Sequence, residues 1–262
     1  MRTQVVAFRR FAVIARFMGT MMLRSWVVLF FSIILPTGSL LLFGWVFKSI
    51  NIPAQAAGNP IATSYPVWLL PGVVVMNMMS TGMMGGSGAM IAWRERGIFK
   101  RLLVTVMPVW QVMTARIVVQ LGILVLQAVI GIITAIAVFG YKFDAHYLPL
   151  TILFIAIGGL VFLSFGQVIA SFTDRVEIGS VVSQVFYVAL TFLTGVMLPL
   201  TILPSAAADF AKYTPSYMIV ELLRTAMLAG GAGPYAWWHL AGLAGYFAAA
   251  IVASALSFRM IR

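Results

Sequence analysis

Five charged residues lie close together in the stretch between Trp93 and Pro108, which separates two long apolar runs. In chain order they are Arg94, Glu95, Arg96, Lys100 and Arg101. They alternate with apolar residues such as Phe99 and Leu103, so a helix here would have one charged face and one apolar face. We therefore predict a short amphipathic helix over residues 93–105, placed where a partner protein could do mechanical work on the membrane helices. The alternative is an ordinary basic loop, which accounts for the arginines but not for the alternation.

Residues that could catalyse a reaction or bind a metal ion are few. The sequence has six acidic residues, two histidines (His146 and His239) and no cysteine. None of the acidic residues lies in the middle of an apolar run. A carrier driven by protons or sodium ions usually has such groups at membrane depth, and an enzyme needs several that converge. We therefore expect no catalytic residue, no metal site and no cofactor on this chain, and keep an ion-coupled secondary carrier as the alternative from another class.

A glycine-rich stretch, Gly82 to Gly88, superficially resembles a phosphate-binding loop. It lacks the Lys-Ser/Thr pair of that motif and lies inside an apolar run, so we interpret it as a site of close helix packing. Uncharged polar side chains inside the runs include Asn77, Gln120 and Gln127. Because Gln120 and Gln127 are two helical turns apart, they share one helix face. They either line a substrate path or form hydrogen bonds between helices, and the second interpretation is favoured.

The composition indicates an integral membrane protein, since 62% of the 262 residues are hydrophobic and only 9% are charged. Soluble proteins have about half apolar and about a quarter charged residues. The apolar runs have the length that a helix needs to cross a bilayer, and they lack the two-residue alternation of barrel strands. We thus predict an all-α membrane protein, a single transmembrane domain over residues 1–262. Its six predicted spans are 27–47, 67–91, 112–139, 148–172, 178–200 and 236–258.

Basic residues give the predicted orientation, because Lys and Arg accumulate in loops on the cytoplasmic side of a membrane. Of the 17 Lys and Arg residues, all but Lys48, Lys142, Lys212 and Arg224 fall on one side of the predicted spans. We therefore expect both termini in the cytoplasm. The net charge of +11 then reflects topology, and we expect no binding to nucleic acid.

Other residue patterns predict contacts at the two membrane surfaces. Residues 1–25 carry arginines on one helix face, which predicts an interfacial helix in contact with membrane lipids; the alternative is a basic tail that serves only topology. Trp68 and Tyr141 are expected in an aromatic belt at the outer interface. Pro215 suits the first turn of a helix. Glu221 and Arg224, three residues apart on one face of that helix, are expected to neutralise each other, as a structural pair or as part of a gate.

Two motifs of the sequence resemble those of a known family, the membrane subunits of type-2 ABC exporters. The first, from Arg94-Glu95-Arg96-Gly97 through Lys100-Arg101-Leu102-Leu103-Val104-Thr105 to Pro108, is similar to the family's coupling region. The second is similar to the segment after the family's fifth span; it comprises Leu193-Thr194-Gly195-Val196-Met197-Leu198-Pro199, Tyr213-Thr214-Pro215-Ser216-Tyr217 and Leu222-Leu223-Arg224. The first motif departs from the family at Ile98-Phe99 and at Val106-Met107-Pro108.

The resemblance implies a permease subunit with a cytoplasmic coupling helix between spans 2 and 3. The residues implied to contact an ATPase are Arg94, Glu95, Arg96, Gly97, Phe99, Lys100, Arg101, Leu103 and Thr105. It also implies re-entrant extracytoplasmic helices over residues 201–230, between spans 5 and 6. Candidates for a substrate path or gate are Asn77, Gln120, Gln127, Gly195, Pro199, Pro215, Tyr217, Glu221 and Arg224.

The implied partners are two cytosolic ABC ATPase subunits, which bind ATP and Mg²⁺, and a second permease copy or paralogue. The complex is expected in a bacterial or archaeal cytoplasmic membrane. Since the family handles drugs, lipids and glycans and the middle parts of the predicted spans hold no fixed charge, we expect export of a hydrophobic or amphipathic substrate, a drug-like molecule or a lipid. Export of a lipid-linked glycan or polysaccharide is the alternative within this class.

Overall fold

Helices form nearly all of the described part of the chain. The computed structural model describes residues 2–24, 26, 30–49, 51–52, 63–98, 109–193, 195 and 204–260. Within these ranges the strands amount to one antiparallel pair of two residues each, β1 (Asn51–Ile52) and β2 (Thr63–Ser64). The predicted all-α class is therefore confirmed.

Three short π-helical turns interrupt or extend the α-helices of these ranges. The turns are Phe30–Ile34 before α2, Ser80–Gly85 between α3 and α4, and Thr225–Ala229 after α9. The helices are α1 (Arg2–Arg24), α2 (Leu35–Val46), α3 (Tyr65–Met79), α4 (Gly86–Glu95), α5 (Val109–Phe139), α6 (Leu148–Phe172), α7 (Val176–Leu193), α8 (Ser205–Lys212), α9 (Pro215–Arg224) and α10 (Ala236–Met260). Because the turn at Ser80–Gly85 stays helical, α3 and α4 form one helical stretch from Tyr65 to Glu95.

Four helical stretches of the described residues are long and apolar enough to cross a membrane. They are Tyr65–Glu95, Gln111–Phe139, Ala145–Phe172 and Ala236–Leu256, and they coincide with the predicted spans 67–91, 112–139, 148–172 and 236–258. At the other two predicted spans, 27–47 and 178–200, the structure has the shorter apolar helices Pro36–Val46 and Val176–Phe192. Six complete spans therefore stay a prediction.

The amino-terminal helix α1 packs along the first part of α5. A Cβ atom added at Gly19 would lie 3.9 Å from a methyl carbon of Val119 in α5. On the opposite side of α1, Val13, Phe17 and Met21 recur every four residues and are exposed. An exposed apolar stripe of this kind suits contact with lipid. The helix expected over residues 1–25 is thus present, and its location at the membrane surface stays a prediction.

Glycines bring the stretch Tyr65–Glu95 into backbone contact with α6. A Cβ atom at Gly82 would lie 2.6 Å from the backbone carbonyl carbon of Phe162, and one at Gly166 would collide with the carbonyl oxygen of Gly82. A Cβ atom at Gly86 would lie 3.7 Å from the Cα atom of Gly166. Helices approach this closely only where side chains are minimal. The interpretation of the glycine-rich stretch as a packing surface is confirmed for Gly82 and Gly86.

Gly166→Ala is expected to lower the free energy of unfolding by about 1–3 kcal/mol, the usual cost of overpacking. The added methyl group meets backbone atoms, which cannot rotate away as a side chain can. The control is Gly88→Ala in α4, where an added Cβ atom has no heavy atom within 4 Å. Unfolding of both variants in mixed micelles measures the difference, and equal stability would contradict the close crossing.

Candidate functional site

The end of α4 is hydrogen-bonded to the turn that connects α6 to α7. The Arg94 Nη2 atom donates to the carbonyl oxygen of Ala170 at 2.9 Å, and its Nη1 atom lies 3.2 Å from the Asp174 carboxylate and 3.4 Å from the carbonyl oxygen of Thr173. The Glu95 carboxylate accepts a hydrogen bond from the backbone N–H of Val176 at 3.1 Å. We call Arg94, Glu95 and residues 170–176 the α4 junction.

Each charge of the α4 junction lies at the helix end that it stabilises. The guanidinium group of Arg94 binds carbonyl groups at the carboxyl end of α6, where the last carbonyls of a helix lack partners and the helix dipole is negative. The Glu95 carboxylate binds an N–H group in the first turn of α7, where the dipole is positive. The ion pair with Asp174 contributes little, because the Asp174 side chain is 85% exposed. Two adjacent residues of one helix therefore fix the ends of two others.

The predicted helix over residues 93–105 does not begin at Trp93, and this boundary is wrong. Residues 93–95 are the last residues of α4, which continues because nothing in the sequence interrupts it before Gly97. Gly97 has a φ of +63° and its N–H donates to the carbonyl oxygen of Arg94 at 3.0 Å. This left-handed residue ends the helix, a role that glycine fills at little cost. Any helix of the coupling region must therefore start after Gly97.

The remaining residues implied to contact an ATPase divide into two groups. Arg96 follows Glu95 and is exposed. Phe99, Lys100, Arg101, Leu103 and Thr105 lie outside the described residues. Arg94 and Glu95 thus differ from Arg96 in that they bind other helices of the same chain, although Glu95 is exposed as Arg96 is.

Arg116 of α5 binds the same helical stretch at Gly85 and Gly86. The sequence patterns did not single out this residue as functional. Its Nη2 atom donates to the carbonyl oxygens of Gly85 and Gly86 at 3.0 Å and 3.1 Å, and its guanidinium carbon lies 5.3 Å from the centre of the Trp93 ring. These carbonyls follow the π-helical turn, where the regular hydrogen-bond ladder changes register. A lone arginine just inside an apolar run was the available signal.

At the opposite end of Tyr65–Glu95, Arg224 of α9 is buried with 5% of its surface exposed. Its guanidinium carbon lies 4.0 Å from the centre of the Trp68 ring, and its Nη2 atom donates to the carbonyl oxygen of Gly195 at 2.8 Å. Gly195 has a φ of +67° and follows the end of α7. We call Trp68, Gly195 and Arg224 the Arg224 cluster. It joins α3, α9 and the turn after α7 through one buried cation.

Glu221 and Arg224 attract each other electrostatically along α9, as expected, but they do not form a direct ion pair. Among the described residues the ion pairs are Arg94 with Asp174 and Lys212 with Asp209. Arg224 is turned toward Trp68 and Gly195 instead, since an aromatic face and a carbonyl oxygen stabilise a buried guanidinium group without a second buried charge. Glu221 is partly exposed on the same helix.

Trp68 and Tyr141, which are expected in an aromatic belt at the outer interface, both have buried side chains, and their depth in the membrane stays a prediction. Tyr141 donates its hydroxyl hydrogen to the carbonyl oxygen of Met227. Trp45, Trp237 and Trp238 are exposed, as residues of such a belt would be. Hydropathy places a tryptophan near an interface, but only the fold shows which of them supports a buried cation.

The start of α9 agrees with the sequence. The Thr214 hydroxyl accepts a hydrogen bond from the Tyr217 N–H at 3.4 Å, and Pro215 occupies the first turn. The Tyr217 ring meets the edge of His239 in α10, with 6.1 Å between ring centres. Pro199 lies outside the described residues. Residues 201–230 thus contain two short helices, α8 and α9, and their re-entrant character stays a prediction.

The polar residues of the spans do not all lie together. Gln127 of α5 and Asn77 of α3 line a cleft between α2, α3 and α5, whereas Gln120 lies outside its lining. The carboxamide nitrogen and oxygen of Gln127 are buried and have no hydrogen-bond partner among the described residues. The favoured interpretation of Gln127 as a hydrogen-bonding residue between helices is therefore wrong.

Among the described residues, no three His, Asp or Glu side chains form a group that could hold a metal ion.

One family of known proteins matches most of this chain. The model of the family described as ABC-2 type transporter matches residues 9–228. The match includes the α4 junction and all three residues of the Arg224 cluster. No curated protein sequence matches the chain.

Proposed function

The chain belongs to the ABC-2 type transporter family, and we propose that it is the permease subunit of an exporter that moves a hydrophobic or amphipathic substrate out across the cytoplasmic membrane. Permeases of this family are multi-pass membrane components of ABC transporters, are not themselves catalytic, and work with ABC ATPase partners. The match over residues 9–228 is the observation that carries the proposal.

The proposed complex contains two ATPase subunits and two permeases, the second being a copy or a paralogue of this chain. ATP and Mg²⁺ bind to the ATPases, and this chain binds no cofactor. The membrane is a bacterial or archaeal cytoplasmic membrane in which all six predicted spans cross and both termini are cytoplasmic. The distribution of Lys and Arg supports this orientation.

The proposed route of force begins in the coupling region, at the residues that follow Glu95. ATP-driven closure of the ATPases pushes this region, with Arg96 on its exposed side as a contact. The α4 junction supports the next step, because Arg94 and Glu95 connect the pushed end of α4 to α6 and α7 at once. A displacement of α4 then moves three helices rather than one.

The proposal of a hydrophobic or amphipathic substrate is supported by the spans, because their described middle regions contain no buried acidic group that would bind a cation. A lipid-linked glycan or polysaccharide is the second candidate, because the family resemblance extends to such exporters. An ion-coupled carrier is disfavoured by the same lack of acidic groups at membrane depth.

The test is substrate-stimulated hydrolysis. The chain is co-purified with the ABC ATPase encoded beside it, reconstituted in lipid nanodiscs, and exposed to hydrophobic drugs, to lipids and to lipid-linked glycans in separate arms. We expect hydrophobic or lipid compounds to raise the hydrolysis rate by about threefold or more, as binding shifts the complex toward its closed state. Stimulation by glycans alone would select the second candidate, and failure of the ATPase to co-purify would refute the proposal.

A further inference from the structure

Gln127 presents the largest unsatisfied hydrogen-bonding capacity inside the described helices. Its side chain is 6% exposed, and both its carboxamide nitrogen and its carboxamide oxygen lack partners among the described residues. A carboxamide offers two N–H donors and one acceptor oxygen. Leaving such a group unpaired in an apolar environment is costly, so a partner from outside the chain is expected.

The cleft beside Gln127 supplies the space for that partner. It lies between α2, α3 and α5, and Thr37 and Asn77 line it from α2 and α3. Gly131, one turn after Gln127, also lines the cleft and lets α3 approach α5 closely, because a Cβ atom at this position would lie only 3.3 Å from a methyl carbon of Leu70. Three polar side chains from three different helices thus surround one small space.

The depth of the cleft indicates where its ligand comes from. Asn77 lies near the middle of the stretch Tyr65–Glu95, and Gln127 lies near the middle of Gln111–Phe139. Both positions are far from the helix ends and therefore from bulk water. A molecule dissolved in the apolar part of the membrane is therefore at the right depth to reach them.

The size and charge of the cleft limit the ligand further. The free space inside the cleft measures about 10 Å³, which is close to the least that holds one water molecule or one hydroxyl group. Among the described residues, no charged side chain lines it; the other lining residues, Pro36, Leu40 and Val73 among them, are apolar. A single uncharged hydrogen-bonding group fits, while the rest of its molecule extends outside.

We propose that this cleft is a binding site for the hydroxyl group of an uncharged amphiphile dissolved in the membrane, with Gln127 as its main hydrogen-bonding residue and Asn77 and Thr37 beside it. The site lies within one chain. Binding there requires neither ATP nor an ATPase partner. The site can therefore be absent from a working exporter, and it can be present in a chain that is not an exporter.

The experiment uses the full chain in lipid nanodiscs and two photoreactive probes. One is a long-chain fatty alcohol with a diazirine next to its hydroxyl group, and the other is the same chain ending in a methyl group. We expect the alcohol to label α2 and α3 around Thr37 and Asn77 about tenfold more than the methyl probe does, the ratio that corresponds to one or two net hydrogen bonds. Mass spectrometry of the labelled peptides gives the ratio.

Gln127→Leu should abolish the preference for the alcohol, and Asn77→Leu should weaken it. Gln120→Leu is the matched control, since Gln120 lies on the same face of α5 outside the cleft, and it should leave the preference unchanged. Without probe, Gln127→Leu should melt at the same temperature as the wild type or higher, because it removes a buried group that has no partner.

Two results would overturn the site. One is equal labelling by the two probes in the wild-type chain. A cleft that holds only water would give this same result. The other is a preference for the alcohol that persists in Gln127→Leu. If Gln127→Leu does not fold, the Asn77→Leu variant decides, and an undiminished preference in it counts against the site.

Discussion

Trp68→Leu is expected to lower the free energy of unfolding of the permease by about 3–5 kcal/mol, one of the largest losses that a single substitution in this chain can produce. Trp68 is completely buried, so its truncation leaves a cavity. It also leaves the guanidinium group of Arg224 buried without the ring that lies 4.0 Å from it. A buried charge that loses one of its direct partners and keeps only the carbonyl oxygen of Gly195 is the more costly of the two defects. Unfolding by SDS titration in mixed micelles measures the loss.

The double variant Trp68→Leu/Arg224→Leu separates these two defects. If the buried cation is the main problem, the double variant loses less stability than the two single variants together, by about 1–2 kcal/mol. Trp237→Leu is the control, because Trp237 is 59% exposed and should change stability by about 0.5 kcal/mol or less. Strict additivity of the single losses would contradict a direct interaction between Trp68 and Arg224.

Arg94→Ala/Glu95→Ala is expected to reduce substrate-stimulated hydrolysis in the reconstituted complex by about tenfold or more, while the ATPase still co-purifies. The double substitution removes charge-assisted hydrogen bonds to α6 and the N-terminal cap of α7, together worth about 2–4 kcal/mol. A push on α4 then no longer moves α6 and α7. Stimulated and basal hydrolysis are measured on the same preparation, so a loss of folded protein is distinguished from a loss of coupling.

Arg96→Ala is the matched comparison, because Arg96 is the next residue and is exposed. It should weaken co-purification of the ATPase and leave the melting temperature of the permease unchanged. If Arg94→Ala/Glu95→Ala instead loses the ATPase and Arg96→Ala does not, then Arg94 and Glu95 contact the partner directly, and the internal role of the α4 junction is refuted.

The apolar runs predicted the helices well, because the hydrophobic length needed to cross a bilayer is a strong physical constraint. The predicted span 148–172 has the same limits as α6 (Leu148–Phe172). Glycine spacing also predicted the crossing at Gly82 and Gly86, since only small residues permit such an approach. Thr214 and Pro215 mark the start of α9 by local rules that need no tertiary information.

Pairings between distant residues were not predictable in the same way. Arg224 was assigned to Glu221 because spacing along a helix is visible in a sequence, whereas the groups in direct contact with it, Trp68 and Gly195, come from other parts of the chain. Glu95 was assigned to a partner protein for a similar reason. Its bond to Val176 depends on α4 and α7 lying side by side, which no local pattern encodes.

ATP-dependent accumulation in inside-out proteoliposomes tests most directly whether this permease is powered by a partner ATPase. The complex is reconstituted with a fluorescent hydrophobic substrate, and uptake is recorded with ATP, with a non-hydrolysable analogue, and with ionophores that collapse ion gradients. We expect uptake only with hydrolysable ATP, at a rate that ionophores leave unchanged. Uptake driven by an ion gradient in vesicles that contain the permease without an ATPase would contradict ATP-driven export.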